Sequence, residues 1–473
     1  VLQKPSSAFK RYAACLENAI MHVLEETASE LSEDESVFDS EAETSDAEDF
    51  AGVPVMLTSF NIAKGIVGEG ILSLPNGLAA GTGMISGVLI MIAFYTVMMY
   101  SFWSLGRACE ATDTKSHGAC GHAITSGYTF GGIMEATNLV KTAFTCTAYA
   151  IVIGKNSEDI WHYVGWESWF ATQRGSFLTI LVVILMPLCL LRDLSKLAFS
   201  SFLGLACEVG VVLFMIWRLF DGAYSETGKY YQEQELETRF SLGEEGQWNY
   251  MGVSLQTMVL VGSMSTAFLA HYNAPKFYHQ LRRRSPKTFL QAASGGFTSA
   301  LVLFATCMVV GYLTFGKNCQ GNILHNYAHG DTGATIARAA MLIATICGFP
   351  IAFTGLRNSA LGLFGCGSRR RIWVPVTLGL LSIVGALGWS LNDLGVVNSL
   401  GGATLGSLIT MIYPGLMIAW TYKASLTNKY VDDRVFSKLE GRFIGRGLAA
   451  LGVFLGIFGT CIVVTVKIFH KQL

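Results

Sequence analysis

The 473-residue chain is 51% hydrophobic and only 14% charged, with a formal net charge of −1. Soluble domains carry about 25% charged residues, so most of this chain does not face water, and its balanced charge offers no basic surface for nucleic acid. Its 11 cysteines lack metal-ligand spacing and fall mostly inside apolar runs, with only Cys319 in an expected non-cytosolic loop, which speaks against a disulfide framework.

Residues 1–50 read as a separate cytosolic tail. Residues 8–28 can form a short helix, and 30–49, "ELSEDESVFDSEAETSDAED", are acidic and serine-rich, a composition that stays disordered. Ser32, Ser36, Ser40 and Ser45 each have an acid three residues on. That spacing fits either an acidophilic kinase or a plain solvated tail, and the tail offers a place for a cytosolic or membrane partner.

Residues 51–473 read as one transmembrane domain. Apolar runs long enough to cross a bilayer recur from Val53 onward, and predict about eleven helical spans. They cover 54–80, 83–106, 131–154, 175–192, 195–220, 251–271, 288–315, 334–361, 372–391, 394–421 and 443–468. The gap 109–130 is too polar to span and is expected along the surface. Loop 272–287 carries Lys276, Arg282, Arg283, Arg284 and Lys287 without an acid; loop 365–371 carries Arg369, Arg370 and Arg371; loop 191–196 carries Arg192 and Lys196. Such loops stay cytosolic. The acidic loop 221–250 then lies opposite, and an odd number of spans puts the C-terminus outside or in a lumen.

Two spans are built to break. The first, "FNIAKGIVGEGILSLP" (60–75), holds Gly65, Gly68, Gly70 and Pro75; each glycine costs a helix about 1 kcal/mol relative to alanine. The sixth has a soft point at "VGSMSTAF" (261–268), followed by His271 and Pro275. Unpaired backbone survives at membrane depth only where it lines a cavity or is buried in protein. Each broken span opens a block of about five, so the blocks are inverted copies, and paired interruptions of this kind point to a transporter site near the midplane. Close packing by the glycines alone is the competing reading. N–H groups near Glu69 to Leu72 can hold a carboxylate, and carbonyls near Gly65 to Val67 can hold an ammonium group or a cation. Both charges belong to an α-amino acid.

These residues resemble the amino acid/auxin permease family, which includes sodium-coupled neutral amino acid transporters and vacuolar amino acid transporters. Besides "FNIAKGIVGEGILSLP", the likeness rests on "PLCLLRDLSKLAFSS" (187–201), "AFLAHYNAPKFYHQL" (267–281), "GYLTFG" (311–316), "GFPIAFTGLRNSA" (348–360) and "NDLGVVNSLGGATLGSLITMIYP" (392–414), and covers about residues 53–468. It implies an all-α integral membrane protein with a LeuT-type 5+5 inverted repeat. The activity implied is coupled amino acid transport by alternating access, with substrate against the unwound parts of helices one and six. In sodium-coupled relatives an asparagine of helix one and a threonine of helix eight help hold the ion; Asn61 matches the first, and Thr345 is the nearest candidate for the second, in a shifted register.

On this reading Gly65, Ile66, Gly68, Glu69, Gly70, Ile71, Ser263, Ser265, Thr266, Phe268 and Phe353 are candidates for substrate binding. Asn61, Lys64, Glu69, Thr345 and His271 are candidates for ion or proton coupling. Lys64 and Glu69 depart from the small residues that relatives carry there. Lys64 lies one turn from Asn61, where its ammonium can occupy an ion site; a buried lysine can also release its proton near neutral pH, which favours H+ over Na+ as the coupling ion, or an uncoupled exchanger. Its alternatives are to snorkel or to pair with Glu69. Glu69 can attract a cationic substrate side chain or carry a proton. Lys141 and Glu208 are expected as one structural ion pair, Glu135 at the interface, His271 as an interfacial residue or a proton relay, and Arg357 as an anchor or gate.

The expected function is secondary active transport of amino acids, with the lipid bilayer as surroundings, H+ or Na+ as coupling ion and no cofactor. No nucleophile–base–metal set suggests an enzyme. The alternatives are an amino-acid sensor signalling through its tail and a structural subunit of a larger membrane assembly.

Overall fold

The computed structural model describes residues 52–114, 116–125, 128–190, 198–231, 249–363, 370–427 and 435–466. The tail 1–50, Arg192, Lys196 and Arg369 lie outside the described residues. In chain order the helices are α1 (Val55–Ile66), α2 (Leu74–Ala79), α3 (Met84–Thr112), α4 (His117–Thr125), α5 (Tyr128–Val164) and α6 (Gln173–Leu190). They continue with α7 (Ala198–Asp221), α8 (Thr257–Ala267), α9 (Ala274–Gln280), α10 (Pro286–Phe315), α11 (Thr332–Leu363), α12 (Arg370–Ser390), α13 (Leu394–Ser425) and α14 (Glu440–Val464). Among the described residues the only β feature is an isolated bridge, Val53 with Leu281. Among the described residues nine helices are long and apolar enough to cross a membrane, or ten when the bent pair formed by α1 and α2 counts as one span.

The chain is an all-α, multi-pass membrane protein. Apolar side chains that a soluble protein would bury lie outward: Phe220 is 83% exposed and Phe202 69%. Surfaces of that kind belong in hydrocarbon. Exposed Trp166, Trp169 and Phe170 at the α5–α6 connection form the sort of aromatic group that sits at a membrane–water interface.

Helix ends follow local chemistry. Ser285 caps α10, its hydroxyl accepting from the Thr288 N–H at 3.1 Å, and Pro286 sits in the first turn, where no N–H is needed. Gly316 ends α10 with φ 56°. The open N–H groups at the start of α3 are met from outside the helix: Met84 N donates to Asn249 O at 2.8 Å and Ile85 N to Tyr250 O at 2.9 Å. That bonding corrects the expected sixth span. Residues 249–252 serve as a cap for α3, Gly83 N also donating to Gly252 O at 2.9 Å, and helix begins only at Thr257.

Two more boundaries move. The stretch 272–287 is not simply a loop, because α9 occupies Ala274–Gln280 and Lys276 belongs to a helix. The gap 109–130 is not a surface segment either. α3 runs on to Thr112, and α4 turns His117, Gly118, Cys120 and Gly121 inward. Cys319 is a buried free thiol that donates to Gly311 O at 3.5 Å.

Ion pairs fasten both ends of the bundle. At one end Arg218 donates to Asp331 at 2.5 and 2.9 Å and to Asp221 at 2.6 Å, while Arg338 lies 3.1 Å from Asp159. At the other, Arg107 lies between the rings of Trp103 and Phe436, 4.4 Å from each, and donates to Glu440 at 2.6 Å and to the Val435 carbonyl. There too the chain before α1 is tied to the end of α9, Val53 N donating to Gln280 O at 2.8 Å and Arg282 N to Val53 O at 3.1 Å.

Candidate functional site

The first break lies between α1 and α2. The helix ends on Val67, whose N–H still bonds Ala63 O at 2.7 Å, and the chain then turns extended at Val67 and Gly68. A tight 3₁₀ turn, Glu69–Ser73, leads into α2, and the two halves are bent by 48°. Pro75 falls in the first turn of α2, where its missing N–H does no harm. The second break follows the same plan: α8 stops at Ala267, a 3₁₀ turn covers His271–Asn273, and Pro275 falls in the first turn of α9.

The break in the sixth segment therefore lies at Phe268–Ala270, past most of the stretch 261–268. Ser263 and Ser265 stay within regular helix. Gly262 marks a close helix contact rather than a weak point: a Cβ there would stand 2.5 Å from Ser399 O of α13.

The two breaks meet. A Cβ on Gly70 would lie 3.0 Å from the Ala267 Cα, so this approach of backbone to backbone requires glycine. Beside it is a cavity of about 40 Å³, measured as room for the centres of water molecules; one water needs at least about 10–15 Å³ by that measure. Lys64, Gly65, Ile66, Gly68, Glu69 and Gly70 line it from the first segment, and Thr266, Ala267, Leu269, Tyr272 and Asn273 from the sixth. Thr145 and Tyr149 of α5 and Gly348, Ile351 and Ala352 of α11 close it.

Other sequence candidates lie elsewhere. Ile71, Ser263 and Ser265 are buried but turned away from the cavity. Phe268 packs with Phe94, Phe297 and Phe304, and Phe353 stacks on Phe349. Asn61 is half-buried and Thr345 donates to Met341 O in its own helix at 2.6 Å; neither reaches the cavity. His271 is fully buried rather than interfacial, its Nε2 lying 2.7 Å from Ser101 Oγ and 3.2 Å from Met98 O. Half-buried Glu135 accepts from the Gly118 N–H at 3.1 Å. Arg357 is buried over the Trp373 ring and donates to Cys189 O at 2.6 Å, an anchor between helices.

The charged groups pair differently from the sequence expectation. Glu208 takes Lys64, not Lys141: Lys64 Nζ donates to Glu208 Oε1 at 2.8 Å, with the side chains 3% and 1% exposed. Lys64 thus neither snorkels nor pairs with Glu69. Lys141 instead turns to the second break, donating to Thr266 Oγ1 at 3.3 Å, while Thr266 itself donates to Asn398 O at 2.7 Å. The sequence reading missed Tyr149, Tyr272 and Asn273. A tyrosine within an apolar span was a usable signal, because its hydroxyl needs a polar setting; Tyr272 and Asn273 stand directly after the break.

The sequence pattern that defines transmembrane amino acid transporter proteins matches residues 54–439. The chain belongs to the amino acid/auxin permease family. Among the relatives of this permease, amino acid transporter AVT6E of Arabidopsis thaliana is 24% identical over 402 residues, 80% of this chain and 78% of that one. Sodium-coupled neutral amino acid symporter 2 of Danio rerio is 25% identical over 384 residues, 76% of this chain and 73% of the other.

Proposed function

We propose that this permease is a secondary active transporter that carries amino acids across a membrane by alternating access, driven by protons. The observation that carries the reading is the meeting of two broken helices at one cavity. The N–H of Gly70, at the start of the second half-helix, suits a carboxylate, whereas that of Glu69 is met by its own side chain. The carbonyl ends of α1 and α8 suit an ammonium group. The like construction of the breaks, a 3₁₀ turn followed by a helix with proline in its first turn, supports two inverted blocks of five spans with a pivot at the site. The basic stretch Arg282–Arg284 next to the Val53 bridge supports a cytosolic side at that end, with the tail attached there and the C-terminus opposite.

Protons fit better than sodium because the buried cation here belongs to the protein. The Lys64 ammonium lies between α1 and α7 and near Gly348 of α11, where it already serves as the counter-ion of Glu208 in place of a metal cation. When a proton from one side binds Glu208 the pair gains a positive charge, and when that proton leaves to the other side the pair returns to neutral, which gives an element whose charge follows protonation. Asn61 and Thr345, the ion ligands implied by the sequence likeness, do not line the cavity.

Uptake into proteoliposomes tests this. An inward proton gradient without sodium is expected to drive accumulation of amino acids, and a sodium gradient alone is not. Lys64→Asn is expected to abolish the response to the proton gradient. Uptake that follows sodium, or a Lys64→Asn protein with unaltered ion dependence, overturns the proton reading.

A further inference from the structure

The site holds a second pair of charges that the transport cycle above does not use. Glu69 lines the cavity and is 4% exposed; its carboxylate accepts only from its own backbone N–H and makes no ion pair among the described residues. Lys141 is 1% exposed, and its one bond to a described residue is to Thr266 Oγ1. Thr266 lines the same cavity from the other break. Glu69 thus faces the cavity, and Lys141 of α5 stands behind Thr266 at its edge. Burying a charge away from water is costly, and this arrangement leaves Glu69 open to whatever occupies the cavity and lets Lys141 act on that occupant through Thr266.

We propose that Glu69 and Lys141 form a split charge pair that selects substrate by net charge. Resting on the transporter reading, the proposal adds the class of substrate and the residues that set it. Lys64 and Glu208 cancel each other through direct contact. The opposite charges of Glu69 and of Lys141 behind Thr266 offset each other, so the site carries no net charge. An amino acid with an uncharged side chain keeps that balance, whereas an arginine or a glutamate brings a surplus charge into a desolvated space, where like-charge contacts cost several kcal/mol. A side chain with both a donor and an acceptor can face Glu69 and the Thr266–Lys141 pair at once.

The test is selectivity, not activity alone. Uptake of L-alanine, L-arginine and L-glutamate is compared in proteoliposomes holding the wild type, Lys141→Gln, Glu69→Gln or the double variant, each also assayed by ligand-induced thermal shift after purification. The wild type is expected to prefer alanine. Lys141→Gln leaves Glu69 alone and is expected to raise the arginine-to-alanine ratio by about tenfold or more; Glu69→Gln is expected to raise the glutamate-to-alanine ratio in the same measure; both follow from removal of one like-charge repulsion. The double variant is expected to return to alanine. Should a single variant be stable but fail to transport, its thermal shift still reports which amino acid binds. Ratios unchanged from wild type in both single variants overturn the proposal while leaving the transporter reading intact; a wild type that moves none of the three amino acids removes the transporter reading instead.

Discussion

Glu208→Ala is expected to destabilise the protein by about 3–5 kcal/mol, because removing one member of a buried ion pair strands the other. Here the stranded group would be the Lys64 ammonium, whose partner lies 2.8 Å away and whose side chain is 3% exposed. Gly204 stands one turn before Glu208 on α7, and a Cβ there would meet Lys64 Cε at 2.9 Å, so the lysine stem fills the groove that this glycine leaves open. The other carboxylate oxygen of Glu208 has no hydrogen-bond partner, so the interaction is concentrated in one contact. Replacing both charges, as Lys64→Met with Glu208→Met, is expected to restore most of the lost stability, since an apolar pair of similar volume often matches a buried ion pair. Thermal unfolding of the purified single and double variants reads this directly. If the single variant melts like wild type, the pair is not a structural contact. If the double variant regains stability but its uptake no longer answers to a proton gradient, the pair is shown to serve coupling as well.

Gly402→Ala carries the second large effect. A Cβ at Gly402 would overlap the Gly262 carbonyl oxygen and lie 2.7 Å from Thr266 Oγ1. The atom in the way is backbone, which cannot swing aside, and overpacking of this kind costs about 1–3 kcal/mol or more. The contact also holds the site together: Gly262 and Thr266 lie one turn apart on α8, and Thr266 donates across to Asn398 O of α13 at 2.7 Å. Gly402→Ala is therefore expected to lower both the yield of folded protein and transport per folded molecule. Gly379→Ala is the control, because nothing lies within 4 Å of its Cβ position on α12; it is expected to be neutral or slightly stabilising, since alanine favours helix by about 1 kcal/mol. Melting temperatures and size-exclusion profiles of the two variants check the contrast, and equal behaviour would mean that α8 and α13 do not pack through Gly402.

The sequence made the breaks easier to read than their contents. The first break was legible because Gly65, Gly68, Gly70 and Pro75 crowd a span that had no need of them. The sixth was placed too early. Its glycine and serines suggested weakness, whereas Gly262 lets α13 approach and Ser263 and Ser265 sit in continuous helix; the break waits for Phe268–Ala270, just before a helix that starts with Pro275. The charges within the spans were legible as unusual residues, but their partners were not. Which of Lys64 and Lys141 meets Glu208 depends on the rotation of α1, α5 and α7 about their axes, and residues 144 positions apart in the chain carry no local record of it. Of the adjacent candidates Ser265, Thr266 and Phe268, only Thr266 reaches the cavity, because each residue turns about 100° from the last along a helix. Lys141 reaches the site only through Thr266, a contact between separate helices that no local pattern specifies.

Substrate counterflow tests the central claim, one cavity between two broken helices open in turn to each side of the membrane, without assuming any coupling ion. Vesicles holding the purified protein are loaded with unlabelled L-alanine and diluted into a trace of labelled L-alanine, with no ion gradient. The account predicts transient accumulation of label inside vesicles with wild-type protein, and its loss with Gly70→Val, which forces the two breaks apart at the Gly70–Ala267 contact. Folded wild-type protein that shows no counterflow with alanine or with any other amino acid, or Gly70→Val protein that exchanges as fast as wild type, would contradict it.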